Sequence, residues 1–428
     1  MTELNHLTAA EAARQIAAGK LKSEDLVRAC LDRVSAREGA VQAWAYIDPK
    51  AVLAQARELD RRGVRGPLAG VPVAVKDVID TADMPTECNS PIYLGYRPKA
   101  DAACVALVRR AGGIIMGKTV TTEFASRMPG PTRHPHNPAH TPGGSSSGSA
   151  AAVADFMVPL AFGTQTGGST IRPGAYCGIV AYKPSFGTIN CAGLKHLAES
   201  LDTIGVMGRS VEDCALLTLA VSLRPIPDFS KGLSSAPRIG FCRTSRWSSA
   251  DPATQALLER TATTLAARGA KVVAVALPDE FDRLYDEQRL IMNYEAARAL
   301  AWEYATQPEL LSAYLRKTVE RYRDVPYQQY ADAISLARAC RSRFSDIMAD
   351  FDVLLTPSAP GEAPPGLEET GNSIFNRNWT LIGAPCVTVP AGTGPAGLPL
   401  AVQVVGDYAN DYRVLECAEW VRQSMQRS

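Results

Sequence analysis

The sequence predicts an α/β fold: a single large domain with a mixed, mostly parallel central β-sheet and helices on both faces. Three observations lead there. Hydrophobic residues make up 46% of the 428 positions, enough for an extensive core. Short apolar runs alternate with stretches of helical pattern, as βαβ crossovers require. No internal repeat and no clear linker interrupts that alternation.

The elements follow in order. Residues 1–65 read as N-terminal helices. Thr8 with Glu11 makes a capping-box pattern, and Gly19 supplies the stop. Ser23 is expected to cap a second helix that Gly39 ends, and Pro49 to sit in the first turn of a third. Residues 66–222 form the core segment. There 71–75 reads as a buried strand ending on Lys76-Asp77, 101–111 as a helix and 114–116 as a strand. An Ala-rich helix start at Ala150 leads into a strand-like run at 157–161, then come a strand at 178–184 and a helix at 211–221. Residues 223–350 are mostly helical. Their Pro/Ser-rich start, 224–236, reads as a connection, followed by a strand (238–242), a helix (252–268), a strand (271–277) and helices over 283–350 broken near Pro326. Residues 351–428 close the domain with strands at 353–355, 387–389 and 400–405 and a helix at 412–423.

Charge and composition exclude several functions. Lys+Arg (45) balances Asp+Glu (44), so nothing electrostatic recommends nucleic acid or an anionic membrane as a partner. No apolar run approaches the ~20 residues of a membrane span. The first residues lack a basic segment followed by an apolar one, which predicts no secretory signal. The ten cysteines are scattered singly with no Cys-x-x-Cys pair. That pattern suits reduced, mostly buried thiols in a cytoplasmic protein.

The chemistry concentrates between Thr141 and Pro173. Two clusters, GGSSSGS from Gly143 and GTQTGGS from Gly163, bracket a segment that is nearly all small or apolar. Flexible linkers do not enclose core-like segments, so the clusters are expected to be buried loops held against each other. Five histidines, three of them in one loop, make a Ser-His-Asp set hard to assemble, and no G-x-S-x-G elbow is present. A serine can instead be activated by a lysine kept neutral by burial. Lys76, at the end of an apolar strand, is the best lysine for this, against the alternative of an exposed strand end. Ser169 is the best nucleophile, since Thr166, Gly167 and Gly168 before it offer consecutive N–H groups for an oxyanion hole.

Two further patterns are weighed. Residues 112–119, GGIIMGKT, match the phosphate-loop pattern literally, but their variable positions are themselves the strand, so nucleotide binding is rejected. His134, His136 and His140 have spacings that can ligate a metal, which keeps open a metal-dependent amidohydrolase; a structural loop is the alternative.

These residues resemble the amidase signature family of serine hydrolases over nearly the whole chain. The likeness rests on GPLAGVPVAVKDVIDT, GGIIMGKTVTTEFA, PGGSSSGSAAAVA, PLAFGTQTGGSTIRP, YCGIVAYKPSFG, LDTIGVMGRSVEDCALL, DVLLTPSAP and GAPCVTVPAG. The resemblance implies a Ser-Ser-Lys set: Lys76 as base, Ser145 as the bridging serine after a cis peptide bond, and Ser169 as the acylated nucleophile. It places the oxyanion hole at the N–H groups of Thr166, Gly167, Gly168 and Ser169. It implies no metal or organic cofactor and a possible homodimer. Two departures bear on subclass. Gln165 stands where many members have Asp, and the order Thr170-Ile171-Arg172 puts the arginine one place later than usual. Both are similar to a malonamidase-like branch, in which this arginine receives a substrate carboxylate; the alternative for Arg172 is a structural ion pair. A small carboxylated amide such as malonamate is thus the expected substrate. Amidotransferase subunits, which usually carry the Asp and the earlier Arg and work with partner subunits, are the alternative. So are allophanate or carboxybiuret-type hydrolases, although allophanate hydrolases usually append a further domain and this chain reads as ending soon after the signature segments.

Overall fold

The structure, a computed structural model, describes residues 3–63, 65–226, 228–229, 232–233 and 235–426. The N-terminal part comprises α1 (Ala9–Ala17), α2 (Ser23–Val41), β1 (Trp44–Tyr46) and α3 (Pro49–Arg62). Thr8 caps α1 by accepting the Glu11 N–H, and Pro49 opens α3 behind the cap Asp48, both as expected. Next come β2 (Pro72–Lys76), α4 (Ala103–Arg110) and β3 (Ile114–Thr119), with β2 and β3 parallel neighbours, the expected crossover. Then follow α5 (Ser147–Ala154), β4 (Leu160–Gln165), α6 (Ile171–Cys177), β5 (Val180–Lys183), β6 (Thr203–Gly208) and α7 (Val211–Ser222). The second half runs β7 (Arg238–Cys242), α8 (Pro252–Ala267), β8 (Lys271–Val275), α9 (Glu280–Ala299), α10 (Ala301–Thr306), α11 (Ala313–Tyr322) and α12 (Tyr327–Met348). It closes with β9 (Val353–Pro357), α13 (Arg377–Leu381), β10 (Cys386–Thr393), β11 (Pro399–Val405) and α14 (Asp411–Gln426).

Among the described residues, eleven strands form one sheet in the order β1-β3-β2-β4-β6-β5-β10-β11-β9-β7-β8. The α/β class and the mixed sheet are as the sequence predicts. Parallel pairing is less extensive than expected. It is confined to β3-β2-β4 and β9-β7-β8. The β1–β3 edge and every pairing from β4 across to β9 are antiparallel. The reason lies in the connections: parallel neighbours need a crossover, whereas β10 and β11 are joined by the short turn 394–398 and pair directly. Strands β2, β3, β4, β5, β6 and β9 are buried along their whole length, as in a sheet covered on both faces.

Several local expectations are corrected. Ser23 is the first residue of α2 rather than its cap; Asp60 of α3 accepts the N–H groups of Ser23 and Glu24 instead. The helix passes Gly39 and stops at Gln42, which takes the left-handed conformation at φ 54°. A glycine inside a helix costs about 1 kcal/mol, and the complete burial of Val41 beyond it offsets that cost. Helix α5 starts at Ser147 and takes the second half of the first Gly/Ser cluster. A Cβ at Gly148 would lie 2.2 Å from the carbonyl oxygen of Ala43, so only glycine lets α5 lie directly on the backbone entering β1. The short β1, β6, α6 and α13 carry no periodic signal of their own. The stretch 224–236 falls partly outside the described residues. The ten cysteines are unpaired, and all but Cys191 are buried. Among the described residues no helix is long and apolar enough to cross a membrane.

Candidate active site

Four elements converge at one end of the β2–β4 pair. Strand β2 ends on Lys76 and β4 on Gln165, while α5 and α6 begin just after Ser145-Ser146 and Ser169-Thr170. Val75 lies opposite Phe162 in the parallel ladder, so Lys76 reaches across towards Thr164. Its Nζ donates to Thr164 Oγ1 at 2.7 Å and to Ser145 Oγ at 2.6 Å. The side chain is 0% exposed, and both its partners are neutral hydroxyls. Burial lowers its pKa from 10.5 to about 7, with the field of Asp202 opposing and that of Arg172 adding to the shift.

A second lysine shows what a carboxylate would change. Lys118, on the neighbouring β3, is as deeply buried, but its Nζ lies 3.2 Å from Asp77 Oδ1 and donates to Thr86 Oγ1. Burial pushes its pKa down too, and there Asp77 pulls it back. The same placement disposes of the phosphate-loop pattern, because Lys118 and Thr119 lie inside a strand rather than at a helix start.

The two Gly/Ser clusters meet as expected. The Gly144–Ser145 peptide bond is cis, and the Ser146 N–H donates to the Ser169 carbonyl at 3.3 Å. Ser145 is buried, whereas Ser169 borders a cavity of about 460 Å³ shared with Gly167, Gly168 and Arg172. The carbonyls of the loop before Ser169 are fastened from behind. Gln288 Nε2 donates to Thr166 O at 2.8 Å, Thr380 Oγ1 to Gly167 O at 2.9 Å, and the Arg172 N–H to Gly168 O at 2.9 Å. Thr166 Oγ1 donates to Asp202, whose carboxylate also takes the N–H groups of Leu197 and Ala198. The N–H groups of Gly167, Gly168 and Ser169 donate to no described residue and are free for a ligand oxygen. Such a row of preoriented donors can stabilise a developing oxyanion. A Cβ at Gly168 would come within 2.5 Å of Asn376 Oδ1, which explains the glycine.

Gln165 uses both ends of its amide. Its Oε1 accepts the N–H groups of Thr170 and Ile171 at 3.0 Å each, and its Nε2 donates to Thr380 Oγ1 at 2.9 Å. An ionised carboxylate could supply only the accepting half. Arg172, the second residue of α6, is 6% exposed; its Nη2 donates to Gly144 O at 2.6 Å and to Thr370 Oγ1 at 3.1 Å. These are neutral acceptors, so the expected alternative of an ion pair is replaced by hydrogen bonds that brace the peptide before Ser145. Its Nε has no hydrogen-bond partner among the described residues, and burial lowers its pKa to about 10.

The three loop histidines lie near one another but form no metal-ligand set among the described residues. His134 is buried with Nε2 against Tyr176 O at 2.9 Å, while its Nδ1 accepts the His136 N–H at 3.2 Å. Burial brings its pKa down to about 4. His140 Nδ1 is bonded to Ala363 O, and no metal-ligand cluster occurs among the described residues. With both nitrogens of His134 engaged, the loop is built as structure. Exhaustive chelation is therefore expected to leave amide hydrolysis within about twofold of the untreated rate, measured by ammonia release; a metal-dependent mechanism requires its loss.

Several contributors escape sequence reasoning. Thr164 lies within the second cluster and Asp202 within LDTIG, so the motifs mark their neighbourhood but not their roles. Gln288 and Thr380 come from α9 and α13, which carry no motif.

Comparison with known proteins bears on the family and the fold. The sequence profile of the family described as Amidase matches residues 25–415. A glutamyl-tRNA(Gln) amidotransferase subunit of Acidothermus cellulolyticus is 33% identical, over 97% of this chain and 93% of its own. A solved structure described as an amidase superposes with TM-score 0.88 at 30% identity, covering 98% of this chain and 100% of the other. A chain from an inhibitor-bound vestigial complex, described as revealing the evolutionary origins of an s-triazine catabolic enzyme, superposes with TM-score 0.89 at 26% identity, covering 98% and 99%.

Proposed function

We propose that this chain, which belongs to the amidase family, hydrolyses a small acidic amide through an acyl-enzyme on Ser169, with Lys76 as base and Ser145 as bridge. One observation carries the proposal: Lys76 is wholly buried, and its amine is bonded to two hydroxyls, one of them Ser145. A lysine so placed, with its pKa brought down to about 7, is neutral in about half of the molecules at pH 7 and can accept a proton. Ser145 passes the Ser169 proton to Lys76 as Ser169 Oγ attacks the amide carbon, since a hydroxyl both donates and accepts. The oxygen of the tetrahedral intermediate is received by N–H groups of the loop 166–169. The proton returns through Ser145 to the departing nitrogen, and ammonia or an amine leaves. Water then releases the acid by the same route in reverse.

Two finer readings concern the substrate. The relatives named as glutamyl-tRNA(Gln) amidotransferase subunits favour an amidotransferase-like role, in which the freed nitrogen serves an acceptor held with partner chains. The malonamate reading rests on Arg172, which borders the cavity, has an Nε without a partner among the described residues, and has the planar donors a carboxylate accepts pairwise. Ammonia release from glutamine, malonamate, malonamide, and neutral aliphatic and aryl amides separates them. Carboxylated amides are expected to be the better substrates. Arg172→Gln is expected to raise KM for them by about 10–100-fold with a smaller effect on neutral amides. Equal losses on both would assign Arg172 to bracing Gly144 alone.

A further inference from the structure

The cavity in front of Ser169 is far more cationic than the chain around it. The whole sequence has a net charge of +1. Yet Arg127, Arg172, Arg289 and Arg377 all border this one cavity, and among the described residues Glu369 is the only acidic one that does. The four come from separate places: the segment after β3, α6, α9 and α13. They are therefore gathered by the fold and are not a basic run in the sequence. They also form a gradient of depth, with Arg172 buried, Arg377 half-buried, and Arg127 and Arg289 exposed.

None of the four makes an ion pair with a described residue. Arg377 Nε donates to the Ser373 hydroxyl at 3.2 Å, and the Arg127 guanidinium lies 5.7 Å from the Tyr314 ring centroid. The positive fields overlap: Arg377 and Arg127 act on Arg172, and Arg289 and Arg127 act on Arg377. The acids that oppose them, Glu369 at Arg172 and Asp286 at Arg377, are both exposed. Like charges crowded around a cleft repel one another and raise the local concentration of an anion. One carboxylate at Arg172 would leave Arg377, Arg289 and Arg127 uncompensated.

We propose that the substrate carries a second acidic group, received by Arg377, Arg289 and Arg127 beyond the position of Arg172, so that it is a small polyanionic amide. This rests on the reading of Ser169 as the acylated residue. A cavity of about 460 Å³ holds a small molecule of this kind. The second group is a carboxylate or a phosphate, since a guanidinium fork receives either.

The test uses the full chain and unreactive acids. Butyrate, glutarate and tricarballylate carry one, two and three carboxylates, one of which stands for the hydrolysed amide. A phosphonate analogue of tricarballylate distinguishes the second acid group. Calorimetric titration at low salt is expected to give about tenfold tighter binding at each added carboxylate, weakened in 0.3 M KCl. The double variant Arg289→Gln/Arg377→Gln is expected to remove the advantage of tricarballylate over glutarate. Equal binding of these two acids by the wild type, or an advantage that survives in the double variant, would overturn the proposal. An acceptor-stem RNA hairpin binding more tightly than tricarballylate with the same arginine dependence would overturn the small-molecule assignment. Labelling of wild-type Ser169 by a fluorophosphonate is scored alongside. Labelled Ser169 with no carboxylate dependence sinks the second subsite alone, whereas unlabelled Ser169 sinks the amidase reading itself.

Discussion

Replacing Ser169 with alanine is expected to lower amide hydrolysis by about 10⁴–10⁶-fold, because the step that divides one hard displacement into two then has no nucleophile. The substitution should leave the fold intact. Ser169 borders the open cavity, and the tie between the two glycine loops runs through its main-chain carbonyl, which alanine keeps. Thermal unfolding of Ser169→Ala within a few degrees of wild type, together with loss of ammonia release, is the expected pair of results. The loss should fall on kcat, with binding of product acids retained, since the arginines of the cavity are untouched. A variant that keeps a tenth of the wild-type rate would mean that another group attacks the amide.

The second large effect belongs to Lys76. Lys76→Met should cost about 10³–10⁴-fold in kcat, the range for a positioned base together with its relay. The wild-type pH profile carries the more specific signature. The neutral amine is the active form and its pKa lies at about 7. Activity should therefore climb with pH, level off above about 7, and fall about tenfold per unit below it. The methionine variant should lose that limb. Stability should also rise with pH, but in a higher window than activity. The folded pKa of Lys76 is lowered from 10.5, so between about 7 and 10.5 the unfolded chain binds more protons than the folded one. Wild-type stability then rises with pH across that window, and the penalty is fully present below 7. Methionine removes the titration, so the stability of Lys76→Met relative to wild type should decline by roughly 1.4 kcal/mol per pH unit from 7 to 10.5. Denaturant melts at pH 7 and pH 9.5 read this directly; a pH-independent difference would mean that Lys76 is charged in the folded state.

Much of this was legible from sequence, for reasons that differ by residue. The end of β2, the two glycine clusters and the false phosphate loop are local patterns, and the chain folds them locally: a strand with no polar interruption is buried, and its final lysine is buried with it. The proportion of parallel pairing was not legible. Strands β5, β6, β10 and β11 read as short apolar runs or carry no signal, and nothing in such runs states which neighbour they take or in which direction. The supports of the Ser169 loop were hidden for a similar reason. Gln288 and Thr380 look like surface and filler residues in their own helices, and they acquire a role only when α9 and α13 pack behind residues 166–168. The arginine cluster is the extreme case, since balanced overall charge conceals a local excess assembled from distant segments.

The central claim is that Ser169 becomes acylated by a base set built on buried Lys76. Peptide-level mass spectrometry of wild-type protein quenched during turnover of a slow ester or amide tests it most directly. The expected result is a single acyl adduct on Ser169, formed faster at pH 8 than at pH 6. An adduct on Ser145 or on any other residue, or turnover with no covalent adduct at all under conditions that trap acyl-enzymes, would contradict it.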